Sequence, residues 1–192
     1  MARPRQRHRG PDDLAGFFEE YGEQTQTFAR GADPSVTQYG AGGLRPAWEP
    51  APGARYSPLW HYPWSETRAA LERLAIEHEG SPFDGVILEY TNPLTGGPTM
   101  PTIACHAQLP RTGQHTEAHR HVCCTNDHLI EGTGYSLVVG ERLLWEDKDV
   151  FTVPTWTMHE HVNTGPRPAF LFSFTDAPVM KALDLYREDA KR

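Results

Sequence analysis

His119 and His121 are separated by one residue, and so are His159 and His161 further along the chain. Strand side chains alternate with a period of two, so each pair places both imidazoles on one face if its segment is a strand. If the sheet curls into a barrel, a histidine of the second pair can meet the first two. Three neutral imidazoles converging in this way hold a divalent metal and leave positions open for water, dioxygen or a bidentate organic ligand. A redox ion such as Fe(II) in that site binds an organic substrate and dioxygen side by side, which is what oxidative ring cleavage requires. Because His159 and His161 share a face, one can ligate while the other serves the substrate.

The remaining histidines carry less. A single histidine on a strand is usually a structural hydrogen-bonding residue, and His61, His78, His106 and His115 are read that way. His128 lies an odd number of residues from His121, so an uninterrupted strand turns it outward. Cys123 has the parity of His121 and is read as a buried structural cysteine. No Gly-rich phosphate loop joins a strand to a helix, and no local nucleophile motif is present.

Positioning these groups takes short strands and tight turns. After Pro82 the chain predicts strands at Val86–Tyr90, Thr102–Leu109, His115–Cys123, His128–Glu131, Tyr135–Val139, Arg142–Trp145, Val150–Val153, Met158–Val162 and Ala169–Phe174, punctuated by glycine and proline. That pattern predicts an all-β jelly-roll barrel. Ahead of it, Ser65–Glu79 predicts a helix: Ser65 is a candidate cap, Leu71, Leu74, Ala75 and His78 form one face, and Gly80 and Pro82 stop it. Pro178–Ala190 predicts a terminal helix with Val179, Leu183 and Tyr186 on one face. Met1 to about Pro11 reads as disordered, Asp12 to about Tyr21 as weakly helical, and Gly31–Pro58 as an extended arm whose Tyr39, Trp48, Tyr56 and Trp60 pin it to the barrel or to a partner. The expected division is therefore 1–55, disordered start and arm, and 56–192, helix and barrel.

The composition narrows the function classes. A formal charge of -7 argues against general nucleic-acid binding, although Arg3, Arg5, Arg7 and Arg9 crowd the start. No apolar run suggests a membrane span or a signal peptide. Three cysteines make no disulfide framework, since the adjacent Cys123 and Cys124 are badly placed for an ordinary bridge. This usage fits a reducing cytoplasm.

The spacing Gly113-x5-His119-x-His121, then Gly132, then Pro154-x-Trp156-x2-His159-x3-Asn163 resembles the two cupin motifs. Leu88–Ile103, His115–His121, Trp156–His161 and Leu171–Met180 resemble the C-terminal half of the gentisate 1,2-dioxygenase family, which includes salicylate and 1-hydroxy-2-naphthoate dioxygenases. The resemblance covers roughly Tyr56 to the C-terminus. It implies a single cupin barrel where the family has two. It also implies Fe(II) held by His119, His121 and His159, and His161 in the second sphere to hydrogen-bond the aromatic acid or pass a proton during ring opening. Family members insert both atoms of dioxygen between the carboxyl-bearing ring carbon and its hydroxyl-bearing neighbour.

Several positions depart from the family pattern. Thr125 stands where many cupins have a glutamate ligand, and Lys148 where a glycine opens the second motif. Ser173 replaces an acidic substrate contact. Asp127 occupies the place of an arginine that pairs with the substrate carboxylate, and a negative charge there repels an aromatic acid. Arg111, Arg120 and Arg142 remain as carboxylate-binding candidates, although each is read first as an ordinary solvated surface arginine. The alternatives to the dioxygenase are a non-catalytic, metal- or small-acid-binding cupin split from a two-barrel protein, and another metal-dependent cupin chemistry. An isolated barrel leaves an apolar face uncovered, so a homo-oligomer or a partner cupin is expected.

Overall fold

The structure is a computed structural model that describes residues 34–42, 47–48 and 56–190, all within the compact unit Pro34–Arg192. The expectations for Met1 to about Pro11 and for Asp12 to Tyr21 lie outside the described residues.

Among the described residues, ten strands form two five-stranded sheets, antiparallel throughout. They are β1 (Val86–Tyr90), β2 (Ala104–Leu109), β3 (His119–His121), β4 (Thr125–Glu131), β5 (Gly134–Val138), β6 (Glu141–Trp145), β7 (Val150–Val153), β8 (His159–Asn163), β9 (Phe170–Thr175) and β10 (Glu188–Ala190). One sheet has the order β1-β2-β9-β4-β7 and the other β10-β3-β8-β5-β6. This is the expected all-β cupin barrel. The chain crosses repeatedly between the two sheets, so residues distant in sequence face one another across the interior.

Three helices accompany the barrel among the described residues: α1 (Pro34–Tyr39), α2 (Trp64–Glu77) and α3 (Ala177–Ala182). None is long and apolar enough to cross a membrane. Of the α2 face expected from the periodicity, Leu71, Leu74 and Ala75 pack on the outer side of β1 and β2, in a cluster with Val86, Ala107, Leu109 and Phe170; His78 lies just past the helix end and is exposed. Leu71 is wholly buried, and burying a leucine stabilises by about 1.5–3 kcal/mol. Ser65 does not cap the helix: Pro63 holds that place without a side-chain bond. The far end is capped instead by Arg111, whose guanidinium donates to the carbonyl oxygens of Ala75 (2.9 Å), Glu79 (2.8 Å) and His78. A second cluster, Leu129, Trp145, Ala169 and Leu171, draws on both sheets and fills the space between them.

Two segments differ from expectation. The arm contains the short helix α1, whose Ser35 Oγ accepts a hydrogen bond from the Trp60 amide at 3.1 Å. Of the arm aromatics only Tyr39 is buried, while Trp48, Tyr56 and Trp60 stay exposed. The C-terminal helix stops at Ala182, Asp184 adopts a left-handed φ of 56°, and Glu188–Ala190 form a strand on β3. Leu183 is exposed, so the apolar face read from the periodicity buries little. The open edge of β3 offers backbone partners that a continued helix would leave unused.

Candidate metal centre

β3 lies between β10 and β8. Its registers pair Glu188 with His121 and His119 with His159. That last pairing brings imidazoles from two separate motifs together: the His119 and His159 ring centroids are 4.3 Å apart, His121–His159 5.0 Å and His119–His121 5.5 Å. Each ring offers a nitrogen, and the three atoms lie within 4.8 Å of one another. The Nδ1–H of His121 donates to the Cys123 carbonyl oxygen at 2.9 Å and that of His159 to the Thr157 carbonyl at 2.8 Å. Such bonds turn the other ring nitrogen, Nε2, toward a metal. His119 Nδ1 is buried without a hydrogen-bond partner. The donor set therefore fits a divalent cation of the borderline class that imidazole prefers.

Burial, together with neighbouring imidazoles, lowers the pKa of His119 and of His159 to about 4. In His121 the cost of burial is outweighed by contacts with Cys123, and its pKa is raised. His161, surrounded by the other three rings, is lowered to about 3, chiefly by burial. At neutral pH His119 and His159 are uncharged, as metal ligation requires, and so is the neighbouring His161.

The four histidines line a cavity of about 180 Å³, below the roughly 300–1,000 Å³ of drug-sized ligand sites and suited to one small ring. His161 faces it from β8, with Nδ1 2.8 Å from Ser136 Oγ, and Ser136 Oγ accepts a hydrogen bond from Trp145 Nε1 at 3.1 Å. The opposite wall comes from the other sheet. There His106, Ser173 and Asp127 stand in one cross-strand row on β2, β9 and β4. Asp127 is buried, and its Oδ2 has no hydrogen-bond partner. Burial first, and then the nearby Asp84, pushes its carboxyl pKa up to about 7. Asp84 itself is well served, accepting from Ser81 Oγ at 2.9 Å and Gln108 Nε2 at 3.3 Å.

None of the three candidate arginines lines this cavity. Arg111 caps α2. Arg120 pairs with Asp189 at 2.7 Å and lies over Trp156, and Arg142 lies over Tyr135. Lys181, exposed on α3, is the single Lys or Arg on the lining among the described residues. His115 pairs with Glu160 at 3.1 Å, away from the lining. His128 is also turned away from it, as its parity requires. Lys148 takes the glycine-like backbone of its turn, with φ 74°.

Sequence reasoning missed His106, Asp84, Lys181, Tyr186 and Glu188, all of which line the cavity. The parity of His106 with Gln108 on β2 is an available signal. Lys181, Tyr186 and Glu188 have none, because the periodicity reads the tail as one helix. A larger cavity of about 730 Å³ lies between α2 and the β4–β5 turn, but its walls carry Arg68–Glu72 and Arg68–Glu131 ion pairs and no histidine.

No protein-family model matches the chain. A 5-aminosalicylate 1,2-dioxygenase from Comamonas sp. is 50% identical over 134 residues, 69% of this chain and 36% of that protein. A gentisate 1,2-dioxygenase from Aquipseudomonas alcaligenes is 35% identical over 172 residues, 90% of this chain and 48% of that protein. Among solved structures, the gentisate adduct of salicylate 1,2-dioxygenase from Pseudoaminobacter salicylatoxidans superposes with a TM-score of 0.77 at 31% identity, covering 87% of this chain and 46% of the other. The chain spans less than half the length of these relatives.

Proposed function

Because the chain is homologous to one cupin barrel of the gentisate- and salicylate-type 1,2-dioxygenases, we propose that it is an Fe(II)-dependent ring-cleaving dioxygenase of hydroxylated aromatic carboxylic acids. The observation that carries this is the convergence of His119, His121 and His159 in a single-ring cavity. In this reading those three hold Fe(II), which supplies a site where the ring acid and dioxygen meet. His161 is the catalytic residue, hydrogen-bonding the acid or an oxygen atom derived from dioxygen from its place on the lining. The relatives' names share a 1,2-dioxygenase activity on ring acids with an amino or hydroxyl group, and we carry that substrate class, with dioxygen, to this chain.

A second reading is favoured by Asp127. A buried carboxyl group on the wall where an acid's carboxylate would be received, with only Lys181 as a cation on the lining among the described residues, suits a barrel that binds metal or a small acid without turning it over. Anaerobic loading with Fe(II), followed by oxygen uptake with gentisate, salicylate and 1-hydroxy-2-naphthoate, separates the two. Uptake with a ring-opened product is the expected result; bound iron without turnover establishes the second reading.

Assembly and location belong to the same proposal. Exposed Val139 and Leu144, at the β5–β6 hairpin, and Val150 on β7 support a homo-oligomer or a partner cupin. A monomer by light scattering at micromolar concentration overturns it. Three free cysteines suit the cytoplasm.

A further inference from the structure

Ser136, Trp145 and His161 form a buried hydrogen-bonded chain running away from the cavity, each less than one-tenth exposed. Its geometry begins with a glycine. A Cβ on Gly134 would collide with the Trp145 indole and with the Val162 carbonyl oxygen, so only glycine lets the indole lie across β5. From there Nε1 reaches Ser136, which stands opposite His161 in the β5–β8 register.

The proton count along this chain has one solution. An indole nitrogen can only donate, so Ser136 Oγ accepts from Trp145. The serine hydroxyl must then place its own proton, and its other hydrogen-bond partner among the described residues is His161 Nδ1. Were Nδ1 protonated, Ser136 would accept twice and its hydroxyl proton would be buried without an acceptor, which natural structures avoid. Nδ1 is therefore the acceptor, and the ring proton sits on Nε2. Because the backbone amide of His161 is held separately by Thr116 Oγ1 at 2.9 Å, the backbone that carries the ring is fixed independently of the ring's own hydrogen bond.

We infer that Trp145 and Ser136 are positioning residues that hold His161 in the Nε2–H tautomer, so that it presents a hydrogen-bond donor to the cavity and the ligand atom facing it is an acceptor oxygen. The consequence for a ring acid rests on the functional reading above; the tautomer itself does not. In this state His161 stabilises negative charge on a carboxylate or phenolate oxygen and does not remove a proton as a base. That matters in a cavity whose lining has no arginine among the described residues, since a fixed neutral N–H supplies part of what an arginine would.

The test is nitrogen-15 NMR of the histidine rings in the metal-free full chain at neutral pH. The wild type is expected to show Nε2 protonated and Nδ1 bare, with about a tenfold preference for one hydrogen bond gained. Ser136→Ala should collapse that preference to a mixture, Trp145→Phe should weaken it, and Ser136→Thr should restore it. A wild-type His161 protonated at Nδ1 overturns the inference without any variant having to fold, as does an unchanged pure Nε2–H tautomer in Ser136→Ala. Adding Zn(II) and 2-hydroxybenzoate should then move the Nε2–H resonance. An unmoved resonance with the acid bound overturns the donor role, whereas no binding of any ring acid overturns the functional reading and leaves the tautomer standing.

Discussion

The two walls of the cavity are built on different terms. On the β3–β8 side, His121, His159 and His161 each have one ring nitrogen engaged by a neighbour, and the other is left free to act. On the β2–β9–β4 side, Asp127 is as deeply buried but holds an oxygen without a partner. The first wall is organised before anything binds except at His119, whose Nδ1 is also buried without a partner. The second carries a group whose cost is recovered only when a donor, a proton or another residue meets it. Under the proposed function, the cavity is thus arranged for a metal while staying selective about the acid it receives.

Removing one of the three proposed ligands breaks the organised wall most directly. His119→Ala is expected to lower iron retention more than 100-fold, beyond the roughly 10–100-fold typical of losing an outer partner; metal analysis after gel filtration measures it, and unchanged iron content removes the site assignment. Reversing the charge on the other wall comes next. Asp127→Arg is expected to raise affinity for an aromatic acid by about tenfold or more, the scale of one charge-assisted hydrogen bond. Calorimetric titration reads this, and a fall in affinity counts against the docking of a carboxylate on that wall.

Acid should set the walls against each other. His119, His159 and His161 are depressed to about 4, 4 and 3. The unfolded chain then binds more protons than the native one below about pH 6.5, and the stability they contribute is lost as pH falls toward 4. Asp127, raised to about 7, acts in the opposite sense, gaining stability over nearly the same range. His121, whose pKa is raised, acts with Asp127, and His106, lowered by burial, acts with the other three; four groups outweigh two, so the melting temperature of the metal-free chain should fall between pH 6.5 and 4. Asp127→Asn should steepen the fall, and a flat profile would contradict the assigned environments. The smallest effect lies outside the cavity: Lys148→Gly should stabilise by about 0.5–1 kcal/mol, because Lys148 holds a left-handed backbone that costs a side-chain-bearing residue roughly 1–2 kcal/mol. Urea denaturation would detect it.

Much of the site was legible because its signals are local. The parity of His119 with His121, and of His159 with His161, follows from the pleat of any strand. The outward turn of His128 and the apolar face of α2 follow from the same kind of periodicity. The arginines show the limit of such reading. Arg111, Arg120 and Arg142 look alike in the sequence as candidates for a carboxylate, yet one caps a helix and two lie over aromatic rings, each choice set by a neighbour the local pattern does not identify.

The sequence by itself determined that this is a barrel of short strands with two histidine pairs facing inward, since alternation and turn chemistry act over a few residues. Only the tertiary structure decided the registers that set His119 opposite His159 and Asp127 opposite Ser173, and that the tail ends as a strand on β3. Those outcomes depend on strand register and on unpaired sheet edges. Both are settled by backbone hydrogen bonds between segments far apart in the chain, and no local pattern encodes them.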